Sequence, residues 1–427
     1  MHQGAGLHSS LFYNRLWIAS TGILIIIYFA NCFTPFRLTN DTVRYFTLLE
    51  DLQGTLPAGF EKPADFLPFG YVYFLAGLST LHLLTPFGIG FFQLLYLCGS
   101  LYFVKKLFGA SIKIWPFVFL TLLNWTTLKL TITPLSEMQF LFFSTAALYC
   151  YQSFMKQRKA GFLILTVMLC LVCFITRTAG IGLVLALIVS FLISSRKKLM
   201  AWSRQQPFYA VLVIIIACSL LGFLVTRPKF IIYLSYFLGP LLRDPATFFS
   251  QNVRLHLVDW AELFINIPIS KTGFLVSPVV AEIFYILTGL FFLGLLTVRL
   301  IRNHRMIPLP VIVYLIIYTL LIFNWPFFEA RFWFPLVPLL AAILVQQGKE
   351  SKPLYQKARM SYLLYYVATG IFVLGYYSRM SFDRPYLVKK HDAGKWQAEY
   401  EDHFGIKRVS DSSAVNKKAI YLLNKYD

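Results

Sequence analysis

The chain has 427 residues, of which 58% are hydrophobic and 14% charged, with a mean hydropathy of +0.64. That composition excludes an ordinary soluble domain and indicates an all-α polytopic membrane protein. The net charge of +20 is scattered as short clusters between apolar runs, which reads as cytoplasmic anchoring and not as a nucleic-acid surface, so no nucleic-acid partner is expected.

Apolar runs lie near 16–33, 66–107, 113–132, 136–155, 161–195, 208–226, 277–298, 308–324, 332–347 and 361–378. At about 20 residues per crossing they predict roughly 10–12 transmembrane helices. They do not alternate, which argues against a closed barrel. The first run is followed by Asn31, Pro35 and Arg37 without a small-residue cleavage site, so it reads as a retained helix. The external loop 34–67 follows. Within it Asp41–Leu52 predicts a short helix capped by Asn40 or Asp41, its Phe46, Leu48, Leu49 and Leu52 suited to a membrane surface. Run 66–107 is long enough for two crossings, yet two would put Lys105 and Lys106 on the side of Asp41. The breaks at Thr85-Pro86 and Gly88/Gly90 favour one crossing plus a re-entrant or surface segment. Run 161–195 reads as a two-span hairpin with its tip at Thr176-Arg177-Thr178. The external loop 227–276 carries a second amphipathic helix, Phe248–Leu263, whose His256, Asp259 and Glu262 read as a solvated face. Residues 1–379 form the transmembrane domain, and 380–427 a small external appendage.

Basic clusters at Lys105-Lys106, Lys156–Lys159, Arg196–Lys198, Arg299–Arg305 and Lys349–Arg359 mark the cytoplasmic side. Most acids fall on the other side. Between Asp65 and Asp244 there is a single carboxylate, Glu137, at the mouth of an apolar run. The cysteines lie in or beside apolar runs, which predicts packing and no disulfide framework.

Acids near hydrocarbon are costly, which singles out Asp41 and Glu137 as candidate catalytic carboxylates or metal ligands. Read otherwise, Asp41 is a helix cap with Arg44 as surface partner, and Glu137 answers the dipole of its own helix. Arg177 and Arg331 stand on the outer side against the charge trend, which suits phosphate binding. Their alternatives are snorkelling for Arg177 and a local pair with Glu329 for Arg331. Arg44 is a third candidate for the phosphate, with Lys62, Tyr45 and Glu329 in supporting roles.

Three segments in this order carry a resemblance: Thr39-Asn40-Asp41-Thr42-Val43-Arg44-Tyr45 after the first helix; Pro134-Leu135-Ser136-Glu137-Met138-Gln139-Phe140 followed by Ile175-Thr176-Arg177-Thr178-Ala179-Gly180; and Phe328-Glu329-Ala330-Arg331-Phe332-Trp333-Phe334-Pro335. Together they resemble the GT-C glycosyltransferases over about the first 340 residues. The resemblance implies a GT-C-like fold and transfer of a sugar from a polyprenyl-phosphate donor to a glycan, lipid or protein acceptor, outside a bacterial inner membrane. It also makes a divalent metal, Mg or Mn, a candidate cofactor at Asp41 and Glu137. The second acid that some members carry beside the first-loop Asp is replaced here by Asn40 and Thr42. Two other functions fit the composition: an O-antigen-type polymerase or ligase, and a lipid-linked glycan flippase or transporter. A transporter would be expected to carry polar groups near mid-span.

Overall fold

The computed structural model describes residues 4–61, 68–205, 228–273, 276–346, 353–407 and 415–427. Run 208–226, Lys62 and Asp65 therefore lie outside the described residues. Those described form helices and turns, with no strand among them beyond one isolated bridge between Ile112 and Gln346. In chain order the α-helices are α1 (Gly4–Asn31), α2 (Asn40–Leu52), α3 (Gly70–Thr80), α4 (Pro86–Phe108), α5 (Ile114–Leu122), α6 (Trp125–Thr131), α7 (Glu137–Gln157), α8 (Ala160–Thr176), α9 (Gly180–Gln205), α10 (Pro228–Arg243), α11 (Pro245–Ile265), α12 (Pro278–Asn303) and α13 (Leu309–Phe323). A 3-10 segment (Ala330–Leu336) leads into α14 (Val337–Val345), followed by α15 (Pro353–Phe382), α16 (Arg384–Lys390), α17 (Gln397–His403) and α18 (Lys417–Tyr426).

Three stretches among the described residues are helical, long and apolar enough to cross a membrane: Pro86–Ser111, Pro278–Asn303 and Gln356–Phe382. Five more apolar helical stretches are shorter, including Ala160–Thr176 and Leu309–Phe323. Run 66–107 divides as its sequence breaks suggest. Thr85 Oγ1 accepts the Gly88 N–H at 3.0 Å and Pro86 opens α4, while His82 turns the chain with φ 56°. The 11-residue α3 spans only about 17 Å, roughly half a hydrocarbon core. Its first residue, Gly70, is held so close to the α8–α9 turn that a Cβ would lie 2.7 Å from Ile175 O. Glycine is required by that contact, and it fixes α3 against the turn that carries Arg177.

Two expectations are corrected. Most of the hydrophobic face of α2 is not free to lie on a membrane surface: Phe46, Leu48 and Leu49 are fully buried in the protein core, and of the four residues only Leu52 is exposed. Nor is α11 a solvated surface helix. His256, Asp259 and Glu262 are all buried, because the C-terminal half of α11 is inserted among other helices. It ends on Asn266 in the left-handed region (φ 62°). Asn266 Oδ1 accepts the Trp125 N–H at 2.8 Å and its Nδ2 donates to Leu123 O at 2.8 Å, at the break between α5 and α6. Asn124 completes this junction by donating to Tyr366 Oη at 2.6 Å. Side-chain amides here satisfy backbone groups that two interrupted helices leave open.

The C-terminal appendage is joined to the main core through Leu387, Val388, Trp396, Tyr400 and Leu423. It secures the segment that leads into α2. Tyr400 Oη donates to Phe36 O (2.8 Å) and accepts the Leu38 N–H (2.9 Å), and His391 Nε2 lies 2.6 Å from Leu38 O. The buried Glu50 carboxylate of α2 is held by Lys425 Nζ at 2.7 Å, by Thr55 Oγ1 at 2.6 Å and by Tyr426.

Candidate functional site

Four separate segments meet around one pair of carboxylates. Asp41 sits in the first turn of α2, and the cap of that helix is Thr39, neither Asn40 nor Asp41: Thr39 Oγ1 accepts the Thr42 N–H at 3.0 Å. The same turn is docked on the segment before α7. Thr42 Oγ1 donates to Pro134 O at 3.3 Å, and Tyr45 Oη shares a hydrogen bond of 3.0 Å with Ser136 Oγ. Glu137 is the first residue of α7, next to Ser136. Arg177 ends α8 in an extended conformation, and its guanidinium reaches across to Glu137 Oε1 (2.6 Å) and Ser136 Oγ (3.2 Å). Arg331 arrives on the 3-10 segment, which Tyr318 holds by donating to Phe332 O at 3.0 Å.

Arg331 links the acids. Its Nη2 lies 2.6 Å from Asp41 Oδ2, its Nη1 3.6 Å from Glu137 Oε1, and its Nε 2.6 Å from Glu329 Oε2. Arg44 approaches Asp41 Oδ1 at 3.5 Å. Phe332 lies beside both guanidinium groups, with ring centroids 5.1 Å from Arg331 and 5.9 Å from Arg177. The two acids differ in access. The Glu137 side chain is 1% exposed and that of Asp41 21%. Neither Glu137 oxygen has a hydrogen-bond partner among the described residues, so its close contacts with the arginines are electrostatic and off-axis. Burial opposes the charge on Arg177 and Arg331. Glu137 together with Tyr318 and Tyr45 at Arg177, and together with Asp41 and Glu329 at Arg331, outweighs that burial, and both arginines are held above their ordinary pKa. Burial likewise raises the Tyr45 phenol, so it remains a protonated hydrogen-bonding group.

Asp41, Glu137, Arg177, Arg331, Arg44, Glu329 and Tyr45 thus come together, while Lys62 lies outside the described residues. Ser136 was missed by sequence reasoning. It joins α2, α7 and the Arg177 turn, and its only sequence signal is its place beside Glu137. The donor set does not suit a divalent metal as arranged. A guanidinium stands between Asp41 and Glu137, so a cation joining those two acids would be pressed against a fixed positive charge. No group of three or more His, Cys, Asp or Glu side chains among the described residues is placed to hold one.

A second polar group lies behind the 3-10 segment. His256 Nε2 is 2.8 Å from Trp325 O, and His256 Nδ1 is 3.5 Å from Asp259 Oδ2, with Phe328 and Trp333 packed around the imidazole. Glu262 Oε1 accepts the Ile269 N–H at 2.7 Å.

Comparisons with protein-family models, with curated proteins and with solved structures find no match for this chain.

Proposed function

We propose that the protein is a membrane-embedded, GT-C-like glycosyltransferase that takes a sugar from a polyprenyl-phosphate donor at the outer face of a bacterial inner membrane. The observation that carries this reading is the meeting of Asp41, Glu137, Arg177 and Arg331 from four distant segments. Transfer requires a base for the acceptor hydroxyl and cations for the departing phosphate. Asp41, the more accessible acid, is the base: it takes the hydroxyl proton as the acceptor oxygen bonds to the sugar C1. The C1–O bond to the lipid phosphate breaks, and its electron pair leaves with the phosphate. Arg331 and Arg177 hold that phosphate, with Arg44 at the rim. Glu137, enclosed and in contact with both inner arginines, orients them. In this reading the Arg331 guanidinium supplies the positive charge between the two acids, the place in which a Mg or Mn ion would otherwise be sought. The acceptor is a glycan, lipid or protein hydroxyl.

One observation favours a second reading, a transporter or flippase for lipid-linked glycan. Asp259 and Glu262 are buried on a helix that ends against another interrupted helix, an arrangement that transporters use for substrate and ion sites. Purified protein given a panel of polyprenyl-phosphate sugars and acceptors separates the two. Release of free lipid phosphate with formation of the glycoside supports transfer. Movement of intact lipid-linked sugar across a vesicle bilayer without release supports transport.

A further inference from the structure

The arginines assigned to the donor phosphate are already occupied. Among the described residues three carboxylates, Asp41, Glu137 and Glu329, face three guanidinium groups, Arg44, Arg177 and Arg331. An incoming phosphate therefore meets no surplus of positive charge among these six groups, and to reach Arg331 it must replace a carboxylate. The three acids are unequal in this respect. Glu137 is enclosed, and Asp41 is one-fifth exposed, whereas the Glu329 side chain is 51% exposed. A half-solvated carboxylate is released from its ion pair at little cost.

The geometry of Glu329 is that of a stand-in. Its Oε1 accepts from Arg331 Nη2 at 3.3 Å, while its Oε2 lies 2.6 Å from Arg331 Nε as a charge contact without hydrogen-bond alignment, so its two oxygens lie loosely along one edge of the guanidinium. Two phosphate oxygens dock on an arginine along such an edge. Glu329 immediately precedes the 3-10 segment, yet its side chain makes no capping bond there. We propose that Glu329 is a tethered counter-ion that occupies the phosphate position on the Nε–Nη2 edge of Arg331 and is displaced by the phosphate group of the ligand. The proposal rests on the assignment of Arg331 to the donor phosphate. It makes the Arg331 edge the phosphate subsite and Glu329 the residue that sets its affinity.

The consequence is opposite to that of an ordinary binding residue: removing Glu329's charge strengthens binding. Full-length protein in detergent is titrated with farnesyl phosphate, and separately with inorganic phosphate. An ion pair open to solvent, as this one is on its Glu329 side, is worth about 0.2–1 kcal/mol, so Glu329→Gln is expected to tighten farnesyl phosphate binding by about 1.4- to 5-fold. Arg331→Lys should weaken it and abolish the gain from Glu329→Gln. Glu282→Gln serves as the charge control, because Glu282 pairs with Arg254 outside the cluster. A Glu329→Gln protein that binds unchanged or more weakly, or that gains no more than Glu282→Gln, overturns the proposal. A matching gain for inorganic phosphate supports it and shows that the subsite reads the phosphate group alone. A gain confined to farnesyl phosphate supports it and assigns the site to a lipid ester. If neither wild type nor variant binds either probe, the assignment of Arg331 to phosphate fails and the proposal with it. Tightened binding without any sugar transfer leaves the counter-ion in place and overturns the transferase reading only.

Discussion

Glu137→Gln is the most informative single change, because it preserves shape and removes one charge from a nearly closed site. Arg331 would keep Asp41 and Glu329, each at 2.6 Å. Among the described residues Arg177 would keep Ser136 and the Phe332 ring but no carboxylate. The change therefore strands one cation. Breaking a fully buried pair from one side costs about 3–5 kcal/mol. The Arg177 side chain is 14% exposed, and partial hydration reduces the expected loss to about 2–4 kcal/mol. Equilibrium unfolding in mixed micelles should be followed for wild type, Glu137→Gln, Arg177→Met and the double variant. If the acid and the arginine depend on one another, the double variant should lose less than the sum of the singles by about 2 kcal/mol or more. A coupling below about 0.5 kcal/mol would refute the reasoning, and Glu137 would then be answering its own helix dipole.

Asp41→Asn leaves the Thr39 cap of α2 intact, so it tests charge alone; lipid-phosphate release should fall by about 100-fold or more at unchanged expression, and near-normal turnover would remove Asp41 as the base. The side of the membrane is tested by labelling: Arg44→Cys and Glu329→Cys should react with an impermeant thiol reagent in intact cells, and Lys106→Cys only after permeabilisation, whereas the reverse pattern would invert the assigned topology. The appendage should loosen in acid. Burial first, and then the Arg37 cation, push His391 down to about 4, with the Leu38 carbonyl and Asp392 opposing and Lys129 adding the least. Between the unfolded value of about 6.5 and the folded value of about 4 the unfolded state binds the extra proton. The stabilisation is therefore complete above about 6.5 and is lost as pH falls through that window, by up to about 3 kcal/mol. Limited proteolysis of the appendage from pH 7 to 4 should show this for wild type and a flatter profile for His391→Gln, while identical profiles would exclude His391 as the cause.

How far the site was legible follows from the scarcity of acids. In a stretch with one carboxylate in nearly 180 residues, Glu137 draws attention by itself, and the same logic picks out an arginine on the side where arginines are rare. Charge is expensive near hydrocarbon, so its placement carries information that composition in a soluble protein does not. Helix breaks signalled by Thr-Pro and Gly were legible for the same reason, since their effect is local. The faces of α2 and α11 were not legible. An amphipathic pattern states that one side is buried but not whether lipid or protein covers it. For α2 the cover is the C-terminal appendage, more than 300 residues away in the chain, through contacts such as Tyr426 with Phe46 and Lys425 with Glu50. For α11 it is the segment Phe328–Trp333 and α12, through contacts such as His256 and Trp260 with Trp333 and Phe264 with Phe292. Ser136 and Thr42 were missed because a hydroxyl has no spacing rule; its value lies in the third segment it meets.

The roles of the two carboxylates follow from depth more than from identity. Both contact Arg331, and a sequence pattern treats them alike. A base must reach its proton and then give it up to solvent, which needs a path to water. The Asp41 side chain has that path and sits on a helix held from outside by the appendage. Glu137 lacks it, and its unshared oxygens face two arginines instead. In the proposed transferase Glu137 fixes the arginines before the phosphate arrives, because preorganised donors need not be reoriented during the reaction. In that proposed transferase the accessible acid performs the proton transfer, the enclosed one holds the cations, and the outermost, Glu329, keeps one arginine edge occupied until a phosphate takes it.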